Sequence, residues 1–421
     1  MRVLAYTSPA RGHLFGLVPI LDELARRGHA IAVRTLAAGV GPLARRGFAA
    51  APIAPAIERL AHDDHRARTP VGGLRRSMAT FARRAPLEVE DLRTAIAATA
   101  PDVLLVDAMT FGAAAVAEAD GRPWAQWMPY PMPLSSPVVP PFAPGLAPAR
   151  GLPGRVRDRA LRPVLARAYR SAALPALGAV RSAVGVAPYT STDDLFTRSP
   201  LLLYLTAEPF EYPRPDWPAS VVAVGPCAWD PPAEPPAWLG ELRRPLVLVS
   251  TSSEFQDDAA LARAALDGLA GEDVDVVVTM PSAALDGPVP ENARVEPFVA
   301  HAPILLRAAC AVTHGGAGVT QKALAAGVPV CAVPFGRDQF EVARRVEVAG
   351  AGTRLPARRL TPARLRACVR EAIRRRAGAE RVAAGFARAG GAPRAADAVE
   401  ALAGGAYTAS ASAAARSTTA R

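Results

Sequence analysis

THGGAGVTQKALAAGVPV, residues 313–330, is the run on which the fold is decided. An apolar strand ends at Thr313, the glycines Gly315, Gly316 and Gly318 follow, and an Ala/Leu-rich helix begins directly after them. A further strand, 328–333, comes next and runs into the loop PFGRDQ at 334–339. Strand, helix and strand in that order make the repeating unit of a parallel sheet with right-handed crossovers. Glycines let the backbone approach a ligand closely, and a helix N-terminus offers unpaired N–H groups at a positive dipole end, a geometry suited to phosphate or diphosphate. The spacing is neither GxxxxGK[ST] nor GxGxxG, and a plain tight βα turn would use glycines too. His314 sharpens the phosphate reading, because an imidazole at the mouth of such a turn can donate to a phosphate oxygen. Asp338 and Gln339, side by side after the next strand, can hold vicinal hydroxyls. Taken alone, Asp338 reads equally as a helix N-cap.

The same rhythm runs through the chain. Residues 2–6 read as a buried strand, followed by an amphipathic helix from about 15 to 27 that Gly28 ends, and by a strand at 30–35. Next come a long helical region at 69–100, a strand at 103–106, a Pro- and Gly-rich irregular stretch at 129–154, another helical stretch and a strand at 201–205. Residues 209–245 are dense in proline and read as a linker interrupted by a strand at 221–224. A second series then places strands at 246–250, 274–279, 309–313 and 328–333, with a last helix at about 393–402. The expectation is an α/β protein of two doubly wound, Rossmann-like domains facing across a cleft. Its divisions would be 1–208, a linker at 209–245, 246–390, a C-terminal helix at 391–403 packing back on the first domain, and a disordered tail at 404–421. In such sheets ligands sit at the carboxyl ends of the strands.

Composition removes several function classes. Of 421 residues, 50% are hydrophobic and 21% charged, which excludes global disorder. No apolar run reaches the ~18 to 20 residues of a membrane span. Arg11 and His13 break the N-terminal apolar run, so it does not read as a signal peptide. Cys227, Cys310, Cys331 and Cys368 lie far apart with no CxxC pair, which fits a cytoplasmic protein without a disulfide framework or zinc site. The net charge of +11 invites a nucleic-acid reading. However, Lys322 is the only lysine and Asn292 the only asparagine, a skew that matches the codon usage of a GC-rich genome. The arginines are scattered in pairs on helix faces, and 6% aromatics is too few for a stacking platform, so no nucleic-acid partner is expected.

Together the two loops resemble a known signature. HGGAG, ALAAGVP, PFGRDQ and RVEVAGAGTRL, within 313–355, match the pattern HGGxG…ALxxGVPxxxxPxxxDQ…RVxxxGxGxxL of the family-1 glycosyltransferases of GT-B fold. The resemblance is narrower still to bacterial macrolide and natural-product glycosyltransferases, and weaker similarity runs from GHLFGLVPI to the helix near Val399. The resemblance implies that His314 and the glycine turn (Gly315, with the amides of Gly316, Gly318, Val319 and Thr320) bind the diphosphate of a nucleotide sugar. It implies that Asp338 and Gln339 grip the transferred sugar, that Phe298 and Val299 meet the nucleotide base, and that Thr251, Ser252 and Ser253 form a small turn facing the phosphates. Many family members carry Glu where Lys322 stands, bonded to the ribose, and members using dTDP-linked sugars often lack it. The change leans toward a dTDP-activated deoxysugar over a UDP-sugar. Lys322 itself would contact phosphate or sugar, or line the helix face. The family's usual Ser or Thr at Val319 and Asn at Val342 are also replaced, leaving those contacts to backbone amides.

The first half supplies the other partner. His13 follows the first strand, where such sheets present their ligands, although an isolated histidine is more often a solvated or satisfied residue. In the resembled family the histidine at this position is the general base that deprotonates the acceptor, and its Asp partner falls on Asp107. A carboxylate on one ring nitrogen would fix the tautomer and free the other nitrogen for a proton. Gly12, Met78, Phe81, Trp127, Met128 and Tyr130 fall where relatives line the acceptor cleft, which favours an apolar natural product such as a polyketide, although each also reads as ordinary core. The expected activity is therefore an inverting, metal-independent sugar transfer to an acceptor hydroxyl, with the nucleotide sugar as co-substrate and no cofactor. The alternatives are a GT-B-fold sugar-nucleotide epimerase or a catalytically silent auxiliary of a partner transferase. The sequence leaves the oligomeric state open, a homodimer included.

Overall fold

The computed structural model describes residues 1–405 apart from 255, 257, 283, 284 and 286. The expected tail from 406 onward lies outside the described residues. Seven strands build the first sheet: β1 Arg2–Tyr6, β2 Ala30–Thr35, β3 Ala49–Pro52, β4 Val103–Asp107, β5 Trp124–Met128, β6 Leu201–Tyr204 and β7 Val221–Ala223. Six build the second: β8 Leu246–Ser250, β9 Asp275–Thr279, β10 Ala293–Glu296, β11 Ala308–Thr313, β12 Val330–Ala332 and β13 Gly352–Arg354. The orders are β3-β2-β1-β4-β5-β6-β7 and β10-β9-β8-β11-β12-β13, and every pairing is parallel. Each sheet starts at its centre, winds outward to one edge and then returns to wind out to the other. That produces a switch point between β1 and β4 in one half and between β8 and β11 in the other.

Both faces of each sheet are covered by helices, so the central strands are buried throughout. Val103 to Asp107 are all buried, as are Leu246 to Ser250. One face of the first sheet packs on the helix Arg11–Arg26, whose Leu14, Leu17, Val18, Leu21 and Leu24 repeat at helical spacing. The final helix, Gly391–Ala403, adds Ala395, Ala396, Val399 and Leu402 to that same core, and Arg27 fixes it through Asp397 (2.6 Å) and Glu400 (2.7 Å). No helix among the described residues is long and apolar enough to cross a membrane.

Three differences from the sequence reading matter for the site. The helix expected from about residue 15 begins at Arg11, so Gly12 and His13 belong to its first turn. The irregular stretch gives way at Gly151 to a helix running to Val184, despite Pro163 and Pro175 inside it. β3, β5, β10 and β13 carry no strong strand signal of their own; β3 is AAAP and β13 is GTR.

The long helix Pro70–Thr99 and the helix Phe111–Asp120 cross at Gly112, where an added Cβ would lie 1.9 Å from the carbonyl oxygen of Ala85. That contact sets the height of the long helix over the carboxyl end of β4. Gly112→Ala forces the two helices apart and is expected to cost about 3 kcal/mol of unfolding free energy, read by urea titration.

Candidate active site

β1 and β4 are neighbours, and the loops at their carboxyl ends bring His13 and Asp107 together. The His13 Nδ1 lies 2.8 Å and 3.0 Å from the two Asp107 carboxylate oxygens. Those oxygens also accept the amides of Ser8 (3.1 Å) and Met109 (2.9 Å). Burial pushes the Asp107 carboxyl up, but the His13 charge and these hydrogen bonds outweigh it and hold it below the ordinary carboxylate value. An ionised carboxylate only accepts, so Nδ1 carries the hydrogen and donates it, which leaves Nε2 with a lone pair. For His13 the balance runs the other way. Burial pulls its pKa down, yet the charge and hydrogen bond of Asp107 prevail and the imidazole ends above 6.5. The ring of Tyr130 stands edge-on to it at 5.5 Å.

Across the cleft, β11 ends at Thr313 and the helix Ala317–Ala325 begins with Gly316 as its N-cap, with no side chain filling the cap. Gly316, Ala317, Gly318 and Val319 line the cleft, so an uncapped helix start opens directly onto it. His314 is buried beside this turn, its Nδ1 3.5 Å from the Ser250 carbonyl and 3.9 Å from the Asp258 carboxylate, and burial pulls its pKa down. A Cβ at Gly316 would stand 2.3 Å from the His314 Nε2, so the ring keeps its place only against glycine.

Several expected donor residues line the same cleft: Thr251, Ser252, Ser253, Phe298, Val299 and Asp338. Burial pushes the Asp338 carboxyl up to about 6. Three others are placed differently. Gly315, at φ +84°, gives its amide to the Thr313 hydroxyl (3.1 Å) and packs against Gln339. Thr320 gives its amide to the Gly316 carbonyl (3.1 Å) as the first intrahelical bond, and its hydroxyl pairs with that of Thr313 (3.1 Å). Gln339 accepts the amides of Phe335 (2.8 Å) and Gly336 (3.0 Å) and donates to Gln256 (2.5 Å). Its amide group therefore shapes the PFGRDQ loop, with its oxygen and one Nε2 hydrogen engaged within the protein. Lys322 reaches the cleft, but its ammonium donates to the Asp230 carboxylate (2.5 Å) and the Trp229 carbonyl (3.1 Å), tying the helix to the proline-rich segment.

On the first-sheet side, Gly12, Met78, Phe81 and Tyr130 line the cleft. Trp127 and Met128 do not. Both are fully buried on opposite faces of β5, Trp127 in the core under the helix Arg11–Arg26 and Met128 in the core of the other face. Arg337, unnoticed in the sequence, spans the cleft: its guanidinium donates to Asp64 (2.7 Å and 2.9 Å) and to Glu254 (2.8 Å). Asp230 was missed as well, and no local pattern could have shown either contact. Their partners lie 273 and 92 residues away in sequence. The cleft measures about 1350 Å³, more than the ~300 to 1,000 Å³ of a pocket for one small molecule, and it is lined by both His13 and the helix start at Gly316 to Val319.

Comparison with known proteins places the chain among relatives of the same fold. Residues 263–402 match the family described as erythromycin biosynthesis protein CIII-like, C-terminal domain. The chain is 33% identical over 385 residues to 4'-demethylrebeccamycin synthase of Lentzea aerocolonigenes, covering 88% of this chain and 91% of that one. It is also 33% identical over 197 residues, 46% of this chain and 44% of the other, to the PGL/p-HBAD biosynthesis rhamnosyltransferase of Mycobacterium bovis. Among solved structures it superposes on the calicheamicin glycosyltransferase CalG4 with a TM-score of 0.71 at 22% identity, covering 96% of this chain and 98% of that one. The glycosyltransferase VinC in complex with dTDP gives 0.66 at 23% identity, covering 96% and 99%. The chain belongs to the family-1 glycosyltransferases of GT-B fold, among those of natural-product biosynthesis. It is accordingly a glycosyltransferase.

Proposed function

We propose that this enzyme is an inverting glycosyltransferase that moves a deoxysugar from dTDP to a hydroxyl of an apolar natural product, with His13 as general base. The observation that carries the reading is that His13, held from behind by the buried Asp107, and the uncapped helix start beside His314 open on one cleft from opposite sides. The His13 Nε2 takes the proton of the acceptor hydroxyl. That oxygen forms a bond to the anomeric carbon as the bond from carbon to the diphosphate oxygen breaks, so the configuration inverts. Asp107 stabilises the imidazolium that results. The departing diphosphate meets the amides of the helix start, aligned before the charge develops, as donors in an oxyanion hole are. Its negative charge also favours protonation of His314, which burial otherwise disfavours, and the imidazolium can then donate from Nε2. Asp338, ionised above about pH 6, accepts from a sugar hydroxyl.

The choice of dTDP rests on position 322, where a cation paired to Asp230 stands in place of a free carboxylate that would accept from a second ribose hydroxyl. Rhamnose, named for one relative, is itself a 6-deoxyhexose. Calorimetric titration is expected to show dTDP binding at least about tenfold tighter than UDP. Equal affinities would remove the nucleotide assignment, and failure of both to bind would remove the donor site.

The pH dependence follows from the dyad. His13 works as a base only when neutral, and its raised pKa places the loss of activity on acidification above pH 6.5. In Asp107→Asn the charge that raises it is gone, so the acid limb of kcat/KM should move to lower pH while the maximum falls. An acid limb unmoved by Asp107→Asn contradicts the pairing.

A further inference from the structure

Ser77, Phe81, Arg84 and Glu88 recur along the helix Pro70–Thr99 at three- and four-residue spacing and so share one face. Met78, Phe81 and Arg84 line the cleft on the side opposite the glycine turn. Arg84 is only 5% exposed. One of its terminal nitrogens donates to the Leu60 carbonyl, its Nε has no hydrogen-bond partner, and among the described residues it forms no ion pair. An arginine buried without a countercharge is costly, and in proteins it stays charged.

The carboxyl groups near it are otherwise engaged. Glu88, one turn further along the same face, accepts the Gly112 amide (2.9 Å), and burial pushes its carboxyl up to about 8, so it remains largely neutral at pH 7. Glu254, from the loop after β8, is bound to Arg337, and Asp107 is bound to His13. Near Arg84 the cleft wall combines the apolar Met78 and Phe81 with His62 and with the Asp64–Arg337–Glu254 group, whose charges are paired to one another. The His62 ring stands edge-on to Phe81 at 4.8 Å and leaves its buried Nδ1 unpaired. A cation without an ion-pair partner and an imidazole with an unpaired nitrogen thus sit beside apolar side chains in the cleft that His13 also lines.

We propose that Arg84 anchors the acceptor, which carries an anionic oxygen (a carboxylate or an acidic phenol or enol) on an apolar body, remote from the hydroxyl presented to His13. This rests on the reading of the first-sheet side of the cleft as the acceptor side. The anion supplies the countercharge that the fold withholds from Arg84, and the apolar body covers Met78 and Phe81. Acceptors of the same shape without the anion leave the guanidinium buried and unpaired, which is how the site discriminates.

The test uses 6-hydroxy-2-naphthoate and its methyl ester as probes, with binding followed by calorimetry in the presence and absence of saturating dTDP. The wild-type enzyme should bind the acid at least about tenfold tighter than the ester. Arg84→Met should abolish that preference and Arg84→Lys should retain part of it, with melting temperature and dTDP affinity reporting that each variant is folded. If Arg84→Met does not fold, Arg84→Gln, which keeps a donor for the Leu60 carbonyl without the charge, takes its place. Equal binding of acid and ester by the wild type, or a preference that survives in the uncharged variants, overturns the proposal. Loss of dTDP binding by the wild type would instead remove the donor reading, since the naphthoate comparison is also made without nucleotide.

Discussion

His13→Ala should slow sugar transfer by about a thousandfold while leaving dTDP affinity within about a factor of two. General-base catalysis contributes roughly 10² to 10⁴ in rate, and here the base is prepared for little else. Its Nδ1 is committed to Asp107 and its other nitrogen is the one left for the acceptor proton. The fold should tolerate the change, because Asp107 keeps the amides of Ser8 and Met109 after the imidazole is removed. The nucleotide should not register it, because the uncapped helix start lies on the other side of the cleft. Single-turnover rates at saturating donor, with calorimetry for dTDP, separate these effects. A His13→Ala enzyme that transfers at the normal rate would remove His13 from the chemistry.

Arg345→Met should destabilise the protein by about 3 to 5 kcal/mol, the range for breaking one side of a buried ion pair. Arg345 lies on the helix Gln339–Val348, 5% exposed, between two carboxylates that are as deeply buried. It donates to Glu211 (2.7 Å and 2.9 Å) and to Glu341 (2.9 Å), and its guanidinium covers the ring of Tyr212 at 4.3 Å. Glu341 in turn accepts the amides of Ala143 (3.0 Å) and Gly145 (2.9 Å). One arginine thereby joins the segment after β6, the irregular loop before the helix Gly151–Val184, and the helix that follows Asp338. Methionine replaces its bulk but strands two negative charges. Urea unfolding is expected to show the loss, and transfer should slow as well, since the two walls of the cleft lose a shared anchor. A change below about 1 kcal/mol would show that the network is not what holds these segments together.

The chemistry was legible where it follows from strand ends. His13 and Asp107 were paired by the resemblance, and their places at the carboxyl ends of parallel strands made a meeting in one cleft possible. His314 and Gly316 stood out because glycines between a strand and a helix have few other uses. Contacts across the cleft could not be read this way. Lys322 drew notice as the only lysine, yet its partner Asp230 sits in a proline-rich segment with no pattern of its own. The resemblance gives Gln339 to the sugar, and no sequence pattern announces that its side-chain oxygen also accepts the loop amides of Phe335 and Gly336. Trp127 and Met128 were given to the acceptor wall by the resemblance, and a strand buried on both sides gives no sign of which face meets a cavity. Arg84 was hidden by composition, since one buried arginine does not stand out among so many exposed ones.

A crystal structure of the enzyme with dTDP tests the central claim most directly. The account predicts diphosphate oxygens within about 3.2 Å of amide nitrogens in the stretch Gly316 to Val319. It also predicts the His13 Nε2 facing the space beyond the terminal phosphate. A nucleotide seated away from that helix start, or an imidazole at position 13 turned from the phosphate, would contradict it.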